Sequence, residues 1–245
     1  MKRVGGLFPR ICDMDNLRLA YCKARRGKRG CPDVLDFERA LEPNLRALRN
    51  DLLDATVTFG PYSNFVVYEP KERLISVAPF RDRVLHQAVL NICEPAFEQY
   101  QIHRSFACRK GRGTYAALDQ ARVFSRQNAW FLKLDVRKYF DSIPHAQLKR
   151  SLSRRFKDQR GLELFDRLID SHNTEPGRGL PIGNLTSQFL ANHFLAAADH
   201  FVKQTLRRKA YLRYMDDMVL WADSGERLMM LGRRLTEFIR RELKL

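Results

Sequence analysis

Apolar positions recur along the chain with two different periods, and each change of period marks a new element. Over residues 33–55, leucines at 35, 41, 45, 48, 52 and 53 follow the spacing of a helix face. RLISVAP (73–79) reads instead as a short strand stopped by Pro79. Val84, Leu85, Ala88, Val89, Ile92 and Cys93 return to helical spacing and predict an amphipathic helix over 81–94, ended before Pro95. The loop CRKGRG (108–113) feeds a further helix, for which Thr114 is the candidate cap. WFLKLDV (130–136) is an apolar run of strand length with Asp135 as its last polar member, and Ser142-Ile143-Pro144 restarts a helix. EPGRGLPIG (175–183) is turn-rich, and Asn184 or Thr186 is the candidate cap of a long one-sided helix from Leu185 to Leu206. Tyr211–Tyr214 and Met218–Trp221 predict two short strands with Met215-Asp216-Asp217 as the hairpin tip, and 225–241 predicts a last helix. Helices and strands mix without regular βαβ alternation, which predicts an α+β fold.

Composition narrows the partners. The 245 residues suffice for one large domain or two lobes with their own cores. Lys and Arg number 44 against 28 Asp and Glu, a formal charge of +16. Such an excess suits a phosphate-rich partner, because each neutralised phosphate releases counterions. An anionic membrane could also take it, but the basic groups sit in loops such as KARRGKRG (23–30), not along one amphipathic helix. Nucleic acid is therefore the expected partner, and a membrane is not. No run approaches the ~18–20 apolar residues that span a bilayer, and MKRVGGLFPR lacks the apolar stretch of a signal peptide. Five cysteines at irregular spacing point to a reducing cytoplasm and to neither disulfides nor zinc.

Candidate chemistry lies in the carboxylates. Asp135 ends one predicted strand, and Asp216 and Asp217 cap a hairpin. If those strands are neighbours in one antiparallel sheet, three carboxylates converge and require a cation. Hard oxygen ligands suit magnesium, and two such ions about 4 Å apart can activate a hydroxyl and stabilise a leaving pyrophosphate. An aspartate is also a favoured turn residue, so Asp135 and the Asp-Asp tip have an ordinary structural reading as well.

YMDD (214–217), preceded by KLDVRKYFDSIP (133–144), resembles the two catalytic motifs of the reverse transcriptases. LPIGNLTSQFLAN (180–192) is similar to their third motif, and RLISVAPFRDRVLHQAVLNICEP (73–95) and RSFACRKGRG (104–113) to their fingers motifs. The resemblance covers roughly residues 70–225 and implies a right-hand polymerase. Residues 1–110 would be fingers with a basic N-terminal extension, 111–142 the first part of the palm, 143–181 a fingers/palm insertion and 182–245 the second part of the palm. It implies that Asp135 and Asp216 hold two magnesium ions, or manganese in their place. The Val136 carbonyl would bind one ion, and Asp217 would assist at the edge. Arg73 would grip the incoming triphosphate, and Phe140 would crowd a ribose 2′-hydroxyl. Gly183 would let backbone approach the nucleotide and template, and Met215 would lie against the primer end. Arg104, Arg109, Lys110 and Arg112 would follow the template backbone. Read without the resemblance, Phe140 is a core residue, Met215 an apolar hairpin residue, and the arginines are solvated. The implied partners are template RNA, the cDNA primer–template duplex, deoxynucleoside triphosphates and a small basic accessory protein.

Two departures refine this expectation. Many relatives carry Gln where this chain has Ile182, and the form I-G-N-L-T-S-Q resembles the error-prone enzymes of diversity-generating retroelements. Isoleucine cannot make the amide hydrogen bond near the base pair that glutamine can. After the helix 225–241 the chain stops at RRELKL, so the thumb of the family is expected to be missing. The readings left open are a truncated or non-catalytic RNA-binding scaffold, and a retron-, group II intron-like or defence-associated reverse transcriptase.

Overall fold

Proline and aspartate set the boundaries of the first helices in the computed structural model, which describes residues 3–68 and 71–245. Helix α1 (Phe8–Ile11) carries Pro9 in its first turn. Helix α2 (Met14–Ala24) is capped by Asp13, whose carboxylate accepts from the N–H groups of Asp15 (2.9 Å) and Asn16 (3.2 Å). The leucine stripe over 33–55 forms two helices, α3 (Pro32–Arg39) and α4 (Leu41–Leu53), broken at Ala40 (φ −132°, ψ 48°). Pro43 accounts for the break, because in one continuous helix its ring would clash with the Arg39 carbonyl and leave that carbonyl without a donor. Strands β1 (Ser63–Val67) and β2 (Arg73–Val77) pair antiparallel with Phe65 opposite Ile75. The apolar pattern predicts β2 but not β1, which is almost wholly exposed and shows no alternation of burial.

Helix α5 (Phe80–Tyr100) runs through Pro95 instead of ending before it. An internal proline costs about 3 kcal/mol, which the burial of Ala96 and Phe97 beyond it offsets. Helix α6 (Thr114–Gln127) has Gly113 as its N-cap residue, and the Thr114 hydroxyl donates to the Tyr214 hydroxyl (3.1 Å) instead of capping. The chain continues through β3 (Trp130–Leu134), α7 (Tyr139–Ser142), α8 (His145–Arg155), α9 (Gln159–Asp170) and α10 (Leu185–His200). It ends with β4 (Tyr211–Tyr214), β5 (Asp217–Ala222) and α11 (Gly225–Phe238). Helices α10 and α11 each close in a π-helical turn, Phe201–Thr205 and Ile239–Leu243, and the rings of Phe201 and Phe238 stack 4.3 Å apart.

The described residues form two compact units, one drawn from Met1–Ala96, Lys149–Asn173 and Leu180–Gln188, the other from Phe97–Leu148, Thr174–Gly179 and Phe189–Leu245. In the first, Asp158 joins distant segments: its carboxylate accepts from the N–H groups of Leu7 (2.9 Å) and Phe8 (2.8 Å) at the start of α1 and caps α9 at Gly161. The rings of Tyr21, Phe37 and Phe80 cluster in its core. In the second unit, an antiparallel sheet of order β3-β5-β4 packs Leu212 and Trp221 against Phe106, Ala117 and Phe124. Strand β3 stands at the sheet edge, with Trp130 57% and Phe131 66% exposed. This is the mixed α+β architecture with an antiparallel sheet that the apolar pattern predicts.

His86 makes the first unit pH-sensitive. It is buried on α5 with Nδ1 3.3 Å from the Thr186 hydroxyl, and burial pushes its pKa from 6.5 down to about 4. The unfolded chain therefore takes up this proton first, so the contribution is intact above pH 6.5 and is lost as pH falls towards 4. Urea titrations between pH 7 and 4 should show the parent losing up to about 3 kcal/mol more than His86→Leu. Parallel profiles for the two proteins would exclude the assignment.

Candidate active site

The register of the sheet puts two carboxylates together. Leu134, the last residue of β3, pairs with Met218 of β5, so Asp135 emerges beside the β4–β5 connection. Tyr214 pairs with Asp217, leaving only Met215 and Asp216 to make the turn. Two-residue turns need a positive φ at their first central position, and Met215 supplies it at 56°. The Asp135 carboxylate lies close enough to Asp216 for its charge to act on the Asp216 carboxyl. Burial raises the Asp216 pKa above its ordinary value, and the charges of Asp135 and Asp217 push the same way against one backbone N–H bond. Asp217 does not complete a triad, because it is the first residue of β5 and pairs with Lys133 (2.9 Å), its diagonal neighbour on β3. Among the described residues no three His, Cys, Asp or Glu side chains are grouped closely enough to cage a metal. The three carboxylates are thus near enough to feel one another without forming a cage, and Asp217 is paired with Lys133. The Asp135–Asp216 pair nonetheless fits a divalent cation, being made of hard oxygen donors whose mutual repulsion a cation would relieve.

Behind the turn lies a buried polar network that the sequence reading missed. Arg213 and Asp199 are both fully buried. The Arg213 guanidinium donates to Asp199 through Nε (2.8 and 2.9 Å) and Nη2 (2.7 Å), and the Tyr211 hydroxyl donates to the same carboxylate (2.7 Å). Nη1 donates to the Asn192 side-chain oxygen (2.7 Å) and to the Met215 carbonyl (2.8 Å). Nη2 also reaches Gln101 Oε1 (3.1 Å) and the Asn192 carbonyl (3.2 Å). A signal was present in the sequence: Arg213 stands two residues from apolar Tyr211 on a strand, and Asp199 follows Ala198 on an apolar helix face.

The remaining candidates divide between the units. Val136 and Phe140 are half-buried, with Lys138 in the left-handed region (φ 48°) before α7. The Phe140 ring meets Tyr139 edge-on at 5.9 Å, and the Tyr139 hydroxyl donates to the Ala191 carbonyl (2.6 Å). Phe140 is therefore not the fully buried core residue of the ordinary reading. In the first unit, Arg73 is exposed at the start of β2, and the Ile182 carbonyl accepts from the Ser76 N–H (2.7 Å). Gly183 has φ 130°, and a Cβ there would lie 2.7 Å from the Ser76 carbonyl oxygen. Its close approach is thus to β2, a packing reason for glycine that needs no ligand.

Of the four basic candidates in the second unit, Arg109 is already engaged. It donates to both Glu98 oxygens and to the carbonyls of Ile102 and Ser105, with its side chain 6% exposed. Its guanidinium is thus committed within the unit and not offered to a template backbone. Arg104 lies over the Phe124 ring (4.5 Å), Arg112 over Phe106 (5.8 Å), and Lys110 is exposed. The local field is positive: Arg112 above all, then burial, Arg104, Arg109 and Lys203 lower the His103 pKa.

The profile of the family described as "Reverse transcriptase (RNA-dependent DNA polymerase)" matches residues 68–244, and the chain belongs to that family. Among relatives, it is 25% identical over 172 residues to the group II intron-encoded protein LtrA of Lactococcus lactis subsp. cremoris, covering 66% of this chain and 29% of that one. A COX1/OXI3 intron 1 protein of Saccharomyces cerevisiae is 27% identical over 168 residues, 65% of this chain and 20% of the relative. The chain thus spans about a fifth of the length of the first curated relatives it matches. In fold it is similar to a chain of a partial Cas6-RT-Cas1–Cas2 complex (TM-score 0.52, 19% identity, 96% of this chain and 43% of that one). Among the described residues no helix is long and apolar enough to cross a membrane.

The carboxylate pair has a thermodynamic signature. Asp216→Asn removes one charge of a repelling pair, so without metal the variant should melt at or above the parent temperature. Each kcal/mol regained is worth about 2–4 °C in a chain of this size. Added Mg²⁺ should raise the parent's melting temperature more than the variant's, and calorimetry showing equal shifts would remove the cation from the site.

Proposed function

We propose that the chain performs RNA-templated DNA synthesis by two-metal phosphoryl transfer. The proximity of Asp135 to Asp216 carries this reading, because the sheet register brings the two together against their repulsion. Two magnesium or manganese ions would be held by Asp135 and Asp216, with the Val136 carbonyl on one ion and Asp217 at the edge. When bound, such ions would activate the primer 3′-hydroxyl and stabilise the pyrophosphate that leaves as the new P–O bond forms. Arg73 is the proposed triphosphate contact, Phe140 the ring that excludes a 2′-hydroxyl, and Met215 the contact to the primer end. Arg104, Lys110 and Arg112 are the proposed template contacts, and the charge that Arg112 and Arg104 exert at His103 supports the first and last of them. The fingers and palm boundaries, the nucleic-acid and nucleotide partners and a small basic accessory protein belong to the same proposal.

Two subtypes are supported by different observations. Ile182 presents an apolar side chain where glutamine would offer an amide, which supports the error-prone enzyme of a diversity-generating retroelement. The similarity to LtrA and to the yeast intron protein supports an intron-encoded enzyme. Sequencing cDNA copied from one defined RNA separates them. The first reading expects frequent errors opposite adenine, which Ile182→Gln lowers about two- to tenfold, the worth of one hydrogen bond. Low parental error at adenine supports the second.

Primer extension on poly(rA)/oligo(dT) with Mg²⁺ tests the shared chemistry. Asp216→Asn should abolish extension while remaining folded, and extension at the parental rate would sink the two-metal reading. Phe140→Ala should admit ribonucleotides and cost less than the ~3–5 kcal/mol of a core phenylalanine, since the ring is half-buried. A variant that melts early and gains no ribonucleotide would return Phe140 to the core.

A further inference from the structure

The Arg213 network is larger than neutralising Asp199 requires. A buried ion pair seldom stabilises a fold over well-packed apolar residues, so its other bonds call for an explanation. One of them leaves the pair altogether: Nη1 reaches the Met215 carbonyl at 2.8 Å. That carbonyl and the Asp216 N–H belong to one planar peptide group. Holding the oxygen fixes the plane from which Asp216 departs, and it holds Met215 at a φ that a non-glycine residue adopts only at a cost. The same turn of α10 fastens the other carboxylate segment. Arg213 Nη2 bonds the Asn192 carbonyl, and Tyr139, four residues after Asp135, bonds the adjacent Ala191 carbonyl. Neighbouring carbonyls of one helix therefore anchor both acid-bearing segments.

We propose that Arg213 is the positioning residue for Asp216, setting the Met215–Asp216 peptide so that the carboxylate meets Asp135 in metal-binding geometry. The proposal rests on the polymerase reading above, and it assigns Arg213 no contact with substrate. A displacement of about 1 Å at a reacting centre costs on the order of a hundredfold in rate, so the expected loss is large although Arg213 lies behind the site.

The test compares two variants of one guanidinium's partners. Arg213→Lys keeps a cation for Asp199 but loses the planar fork that also reaches the turn. Gln101→Leu removes a different bond of the same group and leaves the turn bond in place. Mn²⁺ binding, read by electron paramagnetic resonance of free Mn²⁺, should weaken about tenfold in Arg213→Lys and stay at the parental value in Gln101→Leu. In primer extension kcat should fall about a hundredfold for Arg213→Lys, with nucleotide KM within threefold. Equal Mn²⁺ affinity and rate in the two variants overturn the proposal, whatever their melting temperatures. If Arg213→Lys does not fold, Arg213→Met/Asp199→Leu, which buries no unpaired charge, decides by the same two readouts. Asp216→Asn serves as the control for the underlying reading, since parental Mn²⁺ affinity in that variant refutes the metal site itself.

Discussion

Two neighbouring carboxylates repel, and the sheet register and the β4–β5 turn of the second unit hold them close. Unit charges about 4 Å apart interact by about 1 kcal/mol in water and about 4 kcal/mol at the effective dielectric of a protein surface. Three restraints oppose that force. The Leu134–Met218 pairing fixes where Asp135 leaves β3, the two-residue turn fixes where Asp216 leaves β4, and Arg213 ties the turn to the helix behind it. Lys133 pairs with Asp217 and attracts Asp135 and Asp216 more weakly, so it relieves the pair only in part. The pair thus keeps a repulsion that the lysine beside it offsets only partly, which is why a divalent cation suits the place.

What could be read from the sequence was local. Strands β3, β4 and β5, the hairpin between the last two, and the long apolar face of α10 follow from spacing alone, as do Asp135 and Asp216 at their ends. Features that depend on a distant partner were not legible. Strand β1 is a strand because β2 pairs with it, and its own residues show no alternation. Pro95 looks like a helix end until Ala96 and Phe97 are seen to be buried beyond it. Thr114 has the chemistry of a cap, but Tyr214, a hundred residues on, takes its hydroxyl. Pro43 is the exception: its clash with residue 39 is a local rule, and the break in the leucine stripe could have been read from it.

Charge shows the same division between a legible sum and an illegible distribution. The +16 total follows from composition, yet Arg213 is spent on a buried aspartate and Arg109 on Glu98 and two backbone carbonyls. Both lie in motifs that resemble substrate-contacting segments, and both face inward. Arg104 and Arg112 instead stand near His103, whose pKa is lowered by Arg112 above all, then by burial and the other cations. Counting basic residues in a motif therefore overstates the surface that a phosphate backbone can meet.

The open edge of β3 has a consequence for handling the protein. Trp130 and Phe131 stand largely exposed on a strand whose outer side has no neighbour in the sheet among the described residues, and such edges template contact between copies. Like charge keeps copies apart only while their fields overlap, and the screening length falls from about 10 Å at 0.1 M salt to about 3 Å at 1 M. The concentrated salt that strips nucleic acid from a basic protein therefore also removes the barrier between these edges. A preparation kept at low ionic strength will stay dispersed, whereas one taken into molar salt will self-associate.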